Sequence, residues 1–118
     1  MKNITLDMLN IFLDDSRNPE DVYGENDERD WIICRNPFEF KEVLRNENLD
    51  NRSLFISFDH DLGEDENDKL TETGMDCAKW LVEQNIVPAD YNVHSANPVG
   101  AENIRVYIKN WIEFNQDA

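Results

Sequence analysis

The chain has 118 residues, 40% of them hydrophobic, enough to close one ordinary core and too few for two, so a single domain over residues 1–118 is expected. No run approaches the roughly 18 uninterrupted apolar residues of a membrane span, and the opening MKNITLDMLN lacks the basic flank and apolar stretch of a signal peptide, so a soluble, cytoplasmic protein is expected. The formal charge is −15 at pH 7, and 13 of those charges fall in two segments, 14–30 and 59–76, where sixteen acids face only Arg17, Arg29 and Lys69, so no broad basic face is left to bind a nucleic-acid duplex.

The first apolar run, MLNIFL (8–13), has strand length and is nearly continuous, as strands buried on both faces are. It ends in DDSRNP, after which residues 20–29 hold Gly24 and no apolar stripe, so the helix position that follows the first strand reads as degenerate. WIIC (31–34) is the second strand, and Phe40, Val43 and Leu44 then share one face of a helix within 38–48. LFISF (54–58) is the third strand; it runs into Asp59-His60-Asp61 and then into the acids Glu64 to Asp68, which read as a solvated loop. Thr73 with Asp76 three residues on has the form of a capping box, opening a helix over 74–85 in which Ala78, Leu81 and Val82 make the apolar face. After Pro88 comes a weaker fourth strand, YNV (91–93), and then a helix striped by Ile104, Tyr107, Ile108, Trp111 and Ile112. Cys34 and Cys77 lie in apolar stretches without CxxC spacing, so they read as buried free thiols.

Alternation of strand and helix implies a parallel sheet covered on both sides. Asn-Pro recurs at Asn18-Pro19, Asn36-Pro37 and Asn97-Pro98, each just past a strand, and at least the second and third copies read as helix starts, with Asn as cap and Pro as first helical residue. Strand C-termini and helix N-termini then meet at one crest, where open α/β sheets bind ligands. Asp14, Asp15, Arg17, Asp59, His60, Asp61, His94 and Ser95 all fall there. Carboxylates drawn together repel unless a cation joins them, and Asp14, Asp15, Asp59 and Asp61 are hard oxygen donors of the kind that suit Mg²⁺, or Mn²⁺ in its place. His60 and His94 titrate where a general acid and base are useful. Ser95 could serve as nucleophile or phosphate-binding hydroxyl, and Arg17 as a phosphate clamp; Asn97 joins Arg17 as a candidate substrate-binding residue.

This layout of Asp-Asp after the first strand, Asp after the third and Ser after the fourth resembles a receiver domain of the phosphorelay type. In that likeness Asp14 and Asp15 match the metal-binding acids, Asp59 the phosphoacceptor and Ser95 the hydroxyl residue. The fifth strand and its lysine have no counterpart in the sequence. FLDDSRNP (12–19), FDHDLG (58–63), TGMDCAKWL (73–81) and HSANPVGAENI (94–104) resemble more closely the cyclic-phosphate-processing receiver domains met in bacteriophages and bacteria. The resemblance implies a receiver-like (flavodoxin-like) three-layer α/β fold truncated to about four parallel strands. It also implies a divalent metal and a role in processing a cyclic phosphate, on a small molecule or at an RNA end. Three rival readings use the same residues: a haloacid-dehalogenase-like phosphatase with Asp59 as nucleophile and Asp61 as acid, a phosphoacceptor or phosphate-binding module, and an acidic interaction protein that mimics nucleic acid.

Overall fold

A computed structural model of the chain describes residues 7–47, 52–62 and 72–116. Each apolar run becomes a strand: β1 Asp7–Leu13, β2 Trp31–Cys34, β3 Arg52–Phe58 and β4 Asp90–Val93. They form one sheet in the order β2-β1-β3-β4, with every pair parallel. The helices are α1 Pro19–Tyr23, α2 Pro37–Asn46, α3 Gly74–Glu83 and α4 Pro98–Gln116. Among the described residues no helix is long and apolar enough to cross a membrane.

The two faces of the sheet are covered unequally. Side chains alternate between faces along a strand, and Leu9, Ile11 and Leu13 of β1, with Cys34, Leu54, Ile56, Phe58 and Val93 of its neighbours, point into the apolar core. That core is closed by Phe40 and Leu44 of α2, Cys77, Ala78, Trp80 and Leu81 of α3, and Ala101, Ile104 and Ile108 of α4. Both cysteines are free and fully buried there, and burial pushes each thiol up to about 12. The opposite face carries Asn10, Phe12, Trp31, Phe55, Ser57 and Asn92, and is met by Tyr23 of α1, stacked on Trp31 at 5.4 Å, and by Arg29, whose guanidinium lies 4.5 Å from the centre of the Tyr23 ring.

The helix starts follow from local chemistry. The Thr73 hydroxyl accepts from Asp76 N at 3.3 Å and the Asp76 carboxylate accepts from Thr73 N at 2.8 Å, so the expected capping box is present. Asn36 caps α2 through the N–H of Glu39 at 2.8 Å. The degenerate region proves to hold one short turn: Pro19 opens it, the Asp21 carboxylate accepts from Asn18 N at 2.8 Å, and Gly24, at φ 91°, ends it after five helical residues. All three Asn-Pro pairs therefore start helices. The expected solvated loop Glu64 to Asp68 lies outside the described residues, and the second helix, expected to reach Asn48, ends at Asn46, with Glu47 N donating to Val43 O at 2.9 Å.

Candidate functional site

The strand register sets the site. Leu13 of β1 pairs with Cys34 of β2 and Phe58 of β3, and Phe58 with Val93 of β4. The ladder runs one residue further: Asp14 N donates to Cys34 O at 3.1 Å, Asp59 N to Leu13 O at 2.9 Å and His94 N to Phe58 O at 2.9 Å. Asp14, Asp59 and His94 therefore stand abreast at the strand ends, separated by the inter-strand spacing of about 4.8 Å. By alternation they project from the face that carries Phe12, Ser57 and Asn92, away from the three-helix core. The polar residues buried as a whole among the described ones, Asn10, Asp14, Ser57 and Asp59, all belong to this face, as does the buried side chain of His94.

Asp14, with its side chain 1% exposed, is the organising carboxylate. Its Oδ1 accepts from Ser16 N at 2.9 Å and Arg17 N at 2.8 Å, and its Oδ2 from Arg17 Nε at 2.9 Å and His94 Nε2 at 3.0 Å. Burial by itself would raise its pKa; the backbone donors of Ser16 and Arg17, the His94 contact and the charge of Arg17 outweigh that, and the carboxyl sits below its usual range. Asp59 is also buried but moves the other way, raised by desolvation and by the neighbouring charge of Asp14 against the opposing pull of Arg17, a Ser95 hydrogen bond and the His60 backbone. Asp15 is exposed. Carboxylate oxygens of Asp14, Asp15 and Asp59 lie within 4.8 Å of one another, a group that could hold a divalent cation. The donor set fits one: the oxygens are hard, two of the three acids are buried, and burial together with the charge of Asp14 disfavours the ionised form of Asp59, which a cation would offset. Arg17 already leans across this group, its Nη2 3.8 Å from Asp59 and 3.2 Å from the His94 carbonyl.

The two histidines sit in different settings. His94 is 2% exposed, stacked on Phe12 with ring centres 4.5 Å apart, and has both nitrogens engaged, Nε2 with Asp14 and Nδ1 with Ser57 Oγ at 2.7 Å. Burial lowers its pKa, against the pull of Asp14, so its ring is neutral at pH 7. His60 is more open, and its Nδ1 lies 2.8 Å from Asp61 Oδ1. Asp61, expected as a fourth acid beside Asp14, Asp15 and Asp59, is instead drawn to His60 and, at 3.5 Å, to Asn97 Nδ2, and is not one of the three grouped acids. Asn97 also caps α4, its Oδ1 accepting from Gly100 N at 3.0 Å, while Ser95 Oγ accepts from Asn97 N at 3.1 Å. Two glycines fit the helices to the crest. A Cβ on Gly74 would stand 1.9 Å from Asp59 O, and one on Gly100 2.4 Å from the His60 ring. Both are close approaches that only glycine permits.

Four residues belong to this region without having stood out in the sequence. Arg35, one residue past β2, donates to Arg17 O at 2.6 Å, Asp14 O at 3.3 Å and Asn18 Oδ1 at 2.5 Å, pinning the turn after β1. The strand-end argument that finds Asp14 and Asp59 also finds Arg35. Ser57, Tyr23 and Asn92 lie behind His94; in Ser57 and Asn92 the signal is a polar side chain inside a strand, and Tyr23 has none.

No curated protein and no solved structure matches the chain. The family model described as the cyclic-phosphate processing receiver domain matches residues 9–110, taking in β1 from Leu9, the other three strands, and every acid and histidine of the site. The parallel order β2-β1-β3-β4 is that of a receiver-like α/β fold. The chain thus belongs to the cyclic-phosphate processing receiver domain family.

Proposed function

We propose that the chain is a metal-dependent phosphodiesterase of the cytoplasm that hydrolyses a cyclic phosphate, on a small nucleotide or at an RNA end. The observation that carries this reading is the meeting of Asp14, Asp15 and Asp59 within 4.8 Å on the crest that also bears His60. A bound Mg²⁺ or Mn²⁺ would supply Lewis-acid polarisation of a phosphoryl oxygen and a lowered pKa for bound water. Asp14, Asp15 and Asp59 would hold it.

Opening a cyclic phosphodiester adds water to phosphorus and breaks one P–O ester bond; the water gives up a proton and the departing oxygen takes one. His60 is the residue suited to carry a proton. Asp61 holds Nδ1, which sets the ring and leaves Nε2 to exchange with the reacting group. Arg17, its side chain 37% exposed, is suited to meet a phosphoryl oxygen, and Ser95 and Asn97 lie along the same rim. His94, closed in by Ser57, Asp14 and Phe12, is suited to orient Asp14 rather than to shuttle protons. Three surface concavities of about 340–380 Å³ among the described residues are lined by none of the acidic trio or the histidines. Net charge −15 favours a small or single-ended substrate over a duplex.

The test is release of a nucleoside 2′- or 3′-monophosphate from a nucleoside 2′,3′-cyclic phosphate. Activity is expected with Mg²⁺ or Mn²⁺, and is expected to be lost with EDTA and in Asp59→Asn. A rate indifferent to both would sink the reading. A trapped aspartyl phosphate at Asp59 would favour a haloacid-dehalogenase-like or phosphoacceptor chemistry instead.

A further inference from the structure

We propose that Tyr23, acting through Ser57, is a positioning residue that holds the His94 ring in one tautomer and one orientation against Asp14. Five side chains form a continuous hydrogen-bond chain. Asn92 Nδ2 lies 2.7 Å from Tyr23 Oη, Tyr23 Oη 2.6 Å from Ser57 Oγ, Ser57 Oγ 2.7 Å from His94 Nδ1, and His94 Nε2 3.0 Å from Asp14 Oδ2.

The two ends fix the direction of every bond between them. An amide nitrogen only donates and an ionised carboxylate only accepts. Asn92 therefore donates to Tyr23, which leaves the single phenolic proton for Ser57; the single serine proton then goes to Nδ1, and Nε2 carries the proton given to Asp14. Each hydroxyl donates once and accepts once, so no proton in the chain lacks a partner and the reverse tautomer would leave one. Stacking on Phe12, with an interplanar angle of 2°, restrains the ring against rotation. Tyr23 is held in turn by Trp31 and by the Arg29 guanidinium, which lies 4.5 Å from the Tyr23 ring centre and 4.6 Å from that of Trp31. Through this chain the five-residue α1, too short to bury a stripe of its own, is tied to the carboxylate at the centre of the crest.

The consequence for Asp14 as a cation ligand rests on the proposed metal-dependent function; the tautomer of His94 does not, and the experiment reads the two separately. Long-range ¹H–¹⁵N spectra of the metal-free protein, at one neutral pH, report which ring nitrogen of His94 is protonated. A protonated Nε2 and bare Nδ1 are expected in the native chain. Ser57→Ala, in which Nδ1 loses its donor while Asp14 still accepts from Nε2, should shift the Nδ1 resonance and admit the other tautomer as a minor form, Tyr23→Phe, which keeps the ring on Trp31, should give a smaller shift in the same direction, and Ser57→Thr, which keeps the hydroxyl, the native pattern. In parallel, calorimetric titration with Mn²⁺ should show weakening in Ser57→Ala within the roughly 10–100-fold range that loss of an outer-shell partner costs, less in Tyr23→Phe, and recovery in Ser57→Thr. A native Nδ1–H tautomer, or nitrogen shifts that Tyr23→Phe and Ser57→Ala both leave unchanged, would overturn the proposal. If Ser57→Ala does not fold, Tyr23→Phe decides it. If the native chain takes up no Mn²⁺, the metal reading falls while the nitrogen shifts still settle the role of Tyr23.

Discussion

The sheet has two faces built by different rules. One is closed by three helices over a continuous apolar core in which Ile11, Ile56, Phe58, Ile104 and Ile108 are fully buried. The other is closed by one helix of five residues and a cation–aromatic stack, and it carries Asn10, Asp14, Ser57 and Asp59 as buried polar groups. Burial stabilises the first face roughly in proportion to the apolar area removed from water. On the second, each buried polar group costs free energy unless it is paired, and the pairings are the ones that arrange the site. Adjacent residues of a single strand, Ile56 and Ser57, thus serve different ends, one holding the fold and the other the chemistry.

The largest expected effects fall on activity. His60→Ala should lower the rate of cyclic-phosphate hydrolysis by roughly 10²–10⁴-fold, the usual contribution of a positioned acid or base, with a smaller change in the urea midpoint than truncation of a core side chain, since the ring keeps 19% of its surface exposed at the crest. A comparable loss of stability in His60→Ala would place His60 among the structural residues and break the division between the faces.

On stability the order reverses. Ile56→Ala should cost about 2–5 kcal/mol, as truncation of buried aliphatic side chains does, seen as a lower urea midpoint at unchanged slope, with normal turnover per folded molecule. It should also speed labelling of Cys34 and Cys77, which burial keeps as unreactive thiols in the same core. Ser57→Ala should cost about 1–3 kcal/mol through the partners it leaves unsatisfied, and impair the site more than the fold. Gly74→Ala and Gly100→Ala probe the line where the two halves meet. The first presses a methyl against the Asp59 backbone and should destabilise by about 1–3 kcal/mol or more; the second presses one against the root of the His60 ring, which must shift, and should reduce activity together with stability.

The same division explains what could be read from the amino acids alone. MLNIFL, WIIC and LFISF announce strands because their apolar runs are long enough to need burial, and Phe40, Leu81 and Ile104 announce helices because they recur at helical spacing. Asp14 and Asp59 are legible because parallel strands bring their C-terminal ends together. Helix α1 is not legible: five residues are too few for a 3.6-residue period, and its anchor, Tyr23, is defined by contacts with Trp31, Ser57 and Arg29. The pairing of Asp61 with His60 depends on how the chain turns after β3, which composition does not encode. Ser57 and Asn92 register in a one-dimensional reading only as interruptions of apolar runs, although across the sheet they pair as neighbours in the row beneath the site.

The finest distinction lies inside the polar face, between two acids whose ionisation has opposite consequences for folding. Asp14 has a folded pKa below its unfolded value of 3.8, so ionised Asp14 stabilises the fold above pH 3.8 and that stability is lost as pH falls through the folded value. Asp59 has a folded pKa above 3.8, so its contribution is fully present below pH 3.8 and is lost as pH rises through the folded value. In metal-free protein at neutral pH, Asp59→Asn should therefore be more stable than the native chain, and Asp14→Asn less stable. The Asp59→Asn advantage should shrink on acidification toward pH 3.8, because there the native carboxyl becomes neutral as well. Added Mg²⁺ should shrink it too, at pH 7, by stabilising the ionised native form while leaving Asp59→Asn almost unmoved. Thermal midpoints of the native chain and the two variants at pH 4, 5.5 and 7, with and without Mg²⁺, give the comparison; an Asp59→Asn variant less stable than the native chain in metal-free buffer would mean that the Asp59 charge is already matched within the protein, by Arg17 leaning across from Asp14.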